Sequence, residues 1–156
     1  MKEKEFLEKI RIHQGIIYKL VHLYAQSAED KKDLYQEIVL QAWKGYPSFR
    51  AEAAFGTWLY KLALNTIFVV QRRQSKETPA DTALFENSLV ANHSDEAERL
   101  YKAIRTLPDT ERAIISLHLD GYGNNEIGEM LGVTANMIGV KLYRAKGQLA
   151  NLLKNN

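Results

Sequence analysis

Hydrophobic residues recur along the first part of the chain at steps of three and four: Phe6, Ile10, Ile17, Leu20, Val21 and Tyr24, then Leu34, Ile38 and Ala42 with Trp43 beside them. Such spacing puts an apolar side chain on one face at every turn, and it predicts two amphipathic helices. Gly45 and Pro47 then break the chain. A third period, Phe55, Trp58, Leu59, Leu62, Ala63, Thr66, Val69 and Val70, predicts a long helix ending near Arg72 and Arg73. Cations in a last turn complement the helix dipole, so these arginines have a purely structural reading as well.

The C-terminal part carries a more specific pattern. Asp95 and Glu98 have capping-box spacing, and Ala97, Leu100, Tyr101 and Ile104 form the apolar face of a helix that ends by Leu107-Pro108. Pro108 suits the first turn of a second helix reaching to about Leu119, closed by Gly121 and Gly123. A short helix over Asn125 to Leu131, a turn at Gly132-Val133-Thr134 and a last helix carrying Ile138, Leu142, Ala145, Leu149 and Leu152 follow. Two helices joined by a tight glycine-containing turn predict a helix-turn-helix, with Thr134 as N-cap of the second helix. At about 100° per residue, Leu142, Ala145 and Leu149 lie within roughly 40° of Ile138. Asn136, Gly139, Val140 and Tyr143 then point the opposite way, where a recognition helix faces the major groove, and Lys141, Arg144 and Lys146 flank it within reach of phosphates. An ordinary helical hairpin with a solvated face is the alternative. Strict alternation of apolar and polar residues is absent throughout, so the fold class expected is all-α.

Composition narrows the classes. The chain has 156 residues, 46% hydrophobic and 26% charged, with no cysteine, which excludes a thiolate metal site and a disulfide framework and suits a reducing, cytoplasmic setting. The four histidines, His13, His22, His93 and His118, share no metal-ligand spacing, and neither a phosphate-binding glycine loop nor a nucleophile motif is present. No cofactor and no enzymatic activity are expected. Met1-Lys2-Glu3-Lys4-Glu5 leads into no signal-peptide core, and no apolar run approaches the ~20 residues of a membrane span, so no membrane insertion is expected. The formal charge is only +2, but residues 1–76 hold 13 basic against 8 acidic side chains, 77–100 hold 1 against 6, and 101–156 hold 7 against 5. Two basic segments flank an acidic one. Residues 77–94 are rich in Thr, Ser, Asn and Ala and lack a useful helical period, so they read as a flexible linker between two small helical domains, 1–76 and 95–156. A short helical turn using Leu84, Phe85, Leu89 and Val90 is the alternative there.

Several motifs together resemble a family. Asp33-Leu34-Tyr35-Gln36-Glu37, Trp43, Phe49-Arg50, Phe55-Gly56-Thr57-Trp58-Leu59-Tyr60-Lys61-Leu62-Ala63-Leu64-Asn65 and Arg72-Arg73 look like region 2 of the extracytoplasmic-function (ECF) sigma factors of bacterial RNA polymerase. Leu107-Pro108, Arg112, Glu126-Ile127, Leu131-Gly132 and Arg144-Ala145 look like region 4. The resemblance implies a sigma region 2 helical bundle and a region 4 helix-turn-helix, binding core polymerase through its largest-subunit clamp helices and its flap, and promoter DNA. It assigns Asp33, Leu34, Gln36, Glu37 and Leu40 to core binding, plain core packing being the other reading of Leu34 and Leu40. It makes the loop from Phe49 to Ala54 a site that captures a flipped base of the −10 element, with Phe49 and Phe55 as apolar wall beside Arg50. It makes Asn65 a reader of the −10 element and gives phosphates to Lys61, Arg72 and Arg73; Trp58 is either wedge or core. Reading of the −35 element falls to Thr134, Asn136, Val140, Lys141, Tyr143, Arg144 and Lys146.

The chain also departs from that family's pattern. Val69 stands four positions after Asn65 where a polar residue is usual, Gly139 stands where lysine or arginine is common, and Gly128 replaces a usual alanine. A disordered tether of 18 residues averages roughly 25 Å and stretches to ~60 Å. With domains each ~25 Å across, it spans the ~75 Å between promoter elements two helical turns apart. Members of the family are commonly restrained by an anti-sigma factor, so such a partner is possible here too. A stand-alone helix-turn-helix regulator is the competing reading, and it predicts tight operator binding without polymerase.

Overall fold

The structure, a computed structural model, describes residues 2–77 and 95–154. Chain contacts divide it into two units, Met1–Leu89 and Val90–Asn156. Of the linker expected at 77–94, Glu77 ends the third helix, and 78–94, with the alternative helical turn around Leu84 and Val90, lie outside the described residues.

In the first unit, α1 (Lys2–Tyr24), α2 (Ala28–Gly45) and α3 (Phe55–Glu77) pack pairwise as a three-helix bundle. The six apolar positions of the first stripe are all buried, as are Leu34, Ile38 and Ala42 of the second. Ser27 starts α2 by accepting a hydrogen bond from the Asp30 N–H at 3.1 Å, and Glu29 and Asp30 set negative charge on the helix N-terminus. Pro47 sits in a 3-10 turn, Tyr46–Ser48, that carries the chain away from α2.

The inward face of α3 differs from the one its stripe predicts. Leu59, Tyr60, Ala63, Leu64, Thr66 and Ile67 are buried, whereas Val69 is exposed and Trp58, Leu62 and Val70 are only half-buried. Residues 59–70 are apolar on both sides of the helix, so periodicity alone does not choose a face. Packing against α1 and α2 together does. Tyr60 is sealed under Lys19 of α1, whose ammonium lies 4.9 Å from the ring centroid. Burial pushes Lys19 from its ordinary 10.5 down to about 8.

In the second unit, α4 (Asp95–Arg105), α5 (Asp109–Leu119), α6 (Asn124–Leu131) and α7 (Ala135–Lys154) surround a core of Ile104, Ile114, Leu117, Ile127, Ile138 and Ala145. Pro108 occupies the N-cap of α5, one position before its first helical residue. Arg112 of α5 donates from Nη2 to the carbonyls of Arg105 (2.8 Å) and Leu107 (2.9 Å), satisfying acceptors at the end of α4. The helix α6 begins one residue earlier than its pattern predicts, because Gly123 is its N-cap and donates its N–H back to Glu126 Oε1 at 3.1 Å.

The turn between α6 and α7 has a firm geometric basis. Gly132 adopts φ +76°, the left-handed region, and its N–H and that of Val133 both close on the Gly128 carbonyl at 2.8 and 3.0 Å. Thr134 Oγ1 then accepts from the Met137 N–H at 3.1 Å and caps α7. A Cβ on Gly128 would lie 2.6 Å from the Val133 carbonyl oxygen. The glycine that replaces the usual alanine is therefore what lets this turn close so tightly.

Candidate functional site

Three faces carry the side chains singled out by the sequence, two on the first unit and one on the second. In the first unit, α2 and α3 line a groove of roughly 650 Å³. Glu37, Gln41, Lys44 and Gly45 line it from α2; Trp58, Lys61, Leu62, Asn65, Thr66, Val69, Val70 and Arg73 line it from α3. Thus four of the residues expected at the −10 element, Trp58, Lys61, Asn65 and Arg73, line one surface. Among the described residues no group hydrogen-bonds the Asn65 amide. Arg72 and Arg50 are exposed and do not line the groove.

The loop 49–54 enters α3 through an aromatic cluster. Phe49 lies 5.5 Å from Phe55, nearly perpendicular to it, and 5.3 Å from Trp58, while Phe55 and Trp58 are 5.4 Å apart. Phe55 is buried, and the His13 ring also lies 5.1 Å from it. Phe55 accordingly supports the loop from below, and Phe49, half-buried, is the ring nearer solvent. Ala51 holds φ +56°, which residues other than glycine seldom adopt. This backbone strain sits in the loop expected to capture a base.

The core-binding set divides by face. At about 100° per residue, Asp33, Gln36, Leu40 and Trp43 fall within roughly 40° of the direction opposite Ile38. All four are exposed, Leu40 at 45% and Trp43 at 42%. Leu34 points the other way and is buried, so its direct contribution is to the bundle core. Glu37 turns to the groove, where Gln41 donates to it at 2.9 Å. Trp43 belongs to this outer face although the sequence set it beside the buried stripe; its position with Leu40, rather than with Ile38, was the available signal.

In the second unit Asn136, Val140, Tyr143, Arg144 and Lys146 of α7 are exposed, with Tyr143 at 81%, while Ile138, Leu142, Ala145 and Leu149 face the core. Met137, 48% exposed, joins the same open surface and was not anticipated. Thr134 is occupied as a cap. Lys141 is placed differently from the expectation of a phosphate contact: its Nζ lies 3.1 Å from Glu111 Oε1 of α5, with the two side chains 33% and 19% exposed. The two residues stand thirty positions apart, so no local pattern announced the pair. A Cβ on Gly139 would meet only Asn124 Nδ2, at an ordinary 3.6 Å.

Among the described residues no three His, Asp or Glu side chains are grouped to hold a metal, and no helix is long and apolar enough to cross a membrane. These faces offer amides, cations and aromatic rings, the inventory of nucleic-acid contact.

Comparison with known proteins agrees with that inventory. Residues 10–77 match Sigma-70 region 2, and residues 97–149 match Sigma-70 region 4. The chain is 30% identical over 153 residues to the ECF RNA polymerase sigma factor SigM of Mycobacterium tuberculosis, covering 95% of this chain and 76% of that protein. It is 28% identical over 166 residues to the ECF RNA polymerase sigma-E factor of Escherichia coli, covering 96% and 86% respectively. Among solved structures, the sigma factor RpoE of Bartonella quintana, in complex with the anti-sigma factor NepR, has the same fold, with a TM-score of 0.79 at 20% identity over 97% of this chain and 98% of that one. The structure of CnrH in complex with the cytosolic domain of CnrY gives a TM-score of 0.70 at 19% identity over 99% of this chain and 90% of that one. With both sigma regions in order and a relative 30% identical over 95% of this chain, the chain belongs to the ECF sigma factors of the sigma-70 family.

Proposed function

We propose that the chain acts in the bacterial cytoplasm as a promoter-specificity subunit, dividing its work among residues 1–76, a tether at 77–94 and residues 95–156. The outer face of α2, with Asp33, Gln36, Leu40 and Trp43, docks on core RNA polymerase. The loop 49–54 and the α2–α3 groove hold the unpaired −10 strand through Phe49, Trp58, Lys61, Asn65 and Arg73. The open face of α7 reads the −35 element through Asn136, Val140, Tyr143 and Arg144. The chain contributes binding energy rather than chemistry: bases trapped out of the duplex shift the melting equilibrium toward the open promoter.

The observation that carries this reading is the groove itself. An amide without a described protein partner stands there between Lys61 and Arg73, with the apolar Leu62, Val69 and Val70 lining the same groove. Reconstitution with sigma-free core polymerase and genome-wide mapping of run-off starts is the direct test. Promoter-specific starts are expected, and their absence with proven active core overturns the proposal. Asn65→Ala should reduce promoter opening more than affinity for core, since the side chain is exposed in the groove. Equal losses in both assays would make Asn65 structural.

A further inference from the structure

We infer that the α2–α3 groove seats one unpaired thymine, its C5-methyl group against Val69 and its pairing edge on the Asn65 amide. The inference rests on the reading that this face of α3 meets the −10 strand, and it adds the identity of a base.

Val69 stands one turn beyond Asn65, both line the groove, and the valine is 38% exposed. Residues four apart on a helix have Cβ atoms about 5–6 Å from each other, which a pyrimidine ring can bridge. With Leu62 and Val70 beside it, Val69 forms an apolar wall that offers a base edge neither a donor nor an acceptor.

The Asn65 amide supplies one acceptor and a donor side by side. Thymine presents N3–H and O4 in the matching order, and its methyl group is adjacent to O4. A ring pairing O4 and N3–H with Asn65 therefore turns the methyl group along the helix toward Val69. Cytosine can pair with a flipped amide but brings only C5–H to the wall. A purine held by the same edge turns its N7 acceptor onto the isopropyl group, where it loses water without gaining a partner. The exposed ammonium groups of Lys44 and Lys61 and the Arg73 guanidinium surround the groove for the flanking phosphates. Glu37, its acidic member, accepts from Gln41 at 2.9 Å.

The test uses holoenzyme and fork-junction DNA of a mapped promoter, with each non-template position of the −10 element filled in turn by thymine and by uracil. At one position uracil should weaken binding by about fourfold, the worth of one buried methyl group. That loss should vanish in Val69→Asn and Val69→Ala while affinity for core is unchanged. No thymine preference over uracil at any position, or a preference undiminished in Val69→Asn, overturns the inference. If Asn65→Ala and Val69→Asn both leave fork-junction binding intact with core bound, the assignment of this α3 face to the −10 strand fails as well. A groove that needs Asn65 but ignores the methyl group sinks the thymine inference alone.

Discussion

Replacing Lys141 by methionine separates two roles for a recognition-helix lysine. As a phosphate ligand it would release one counterion, and its loss would make the slope of log affinity against log salt shallower by about 0.9. Between 50 and 200 mM salt that is roughly a threefold difference in how steeply promoter affinity falls. The structure gives Lys141 another partner, Glu111 Oε1 at 3.1 Å, in a pair that is 33% and 19% exposed. An exposed pair contributes only ~0.2–1 kcal/mol, and breaking a fully buried one costs ~3–5 kcal/mol. This pair lies between those limits, so Lys141→Met should cost about 1–2 kcal/mol by stranding the carboxylate. A domain of this size shifts its Tm by ~4–8 °C per kcal/mol. Both tryptophans, Trp43 and Trp58, lie in the first unit, so their fluorescence should report an unchanged transition there, while circular dichroism records the loss in the second. Glu111→Gln should leave little further penalty for Lys141→Met, and it should steepen the salt slope by freeing the ammonium. An unchanged Tm together with a slope shallower by about 0.9 would refute the reasoning and return Lys141 to the phosphates.

Four further outcomes are expected. Gly139→Ala, with room for its Cβ, should stabilise the second unit by ~0.5–1 kcal/mol in chemical denaturation. Gly128→Ala, aimed at a backbone oxygen 2.6 Å away, should destabilise it by about 1–2 kcal/mol once strain exceeds that propensity gain. Lys19→Met should stabilise the first unit near neutral pH. The folded protein binds this proton less readily than the unfolded chain, so the penalty is full below about 8 and disappears as pH rises to 10.5. The shift corresponds to ~3 kcal/mol, and loss of the contact over Tyr60 offsets ~1–2 of it, leaving a net gain of about 1–2 kcal/mol that should vanish at high pH in paired urea melts. Finally, Leu40→Ala should weaken core polymerase binding with stability unchanged, whereas Leu34→Ala should lower stability by ~2–3 kcal/mol, because only Leu34 is buried; matching effects would dissolve the two-face division of α2.

Much of the architecture was legible because its signals are local. The stripes through Phe6 to Tyr24 and through Leu34 to Ala42 each have one apolar side, so burial followed directly from period. The turn at Gly132-Val133-Thr134 was legible too, since a left-handed glycine and an N-cap threonine act within a few residues of themselves. Where a helix is apolar on both sides, as α3 is, the same pattern permits more than one face, and Val69 emerged outside the core.

The sequence by itself determined the all-α class, the order of helices, the helix-turn-helix and, through its motifs, the sigma factor family. The tertiary structure decided which side chains are available: that Lys141 is held by Glu111, that Phe55 supports Phe49 from below, that Leu34 turns inward while Trp43 turns out, and that Asn65 and Val69 share a groove with α2. Helix propensity, capping and periodicity are set by neighbours within about four residues. Availability depends on which distant surface packs against a residue, and that is settled only when the helices meet.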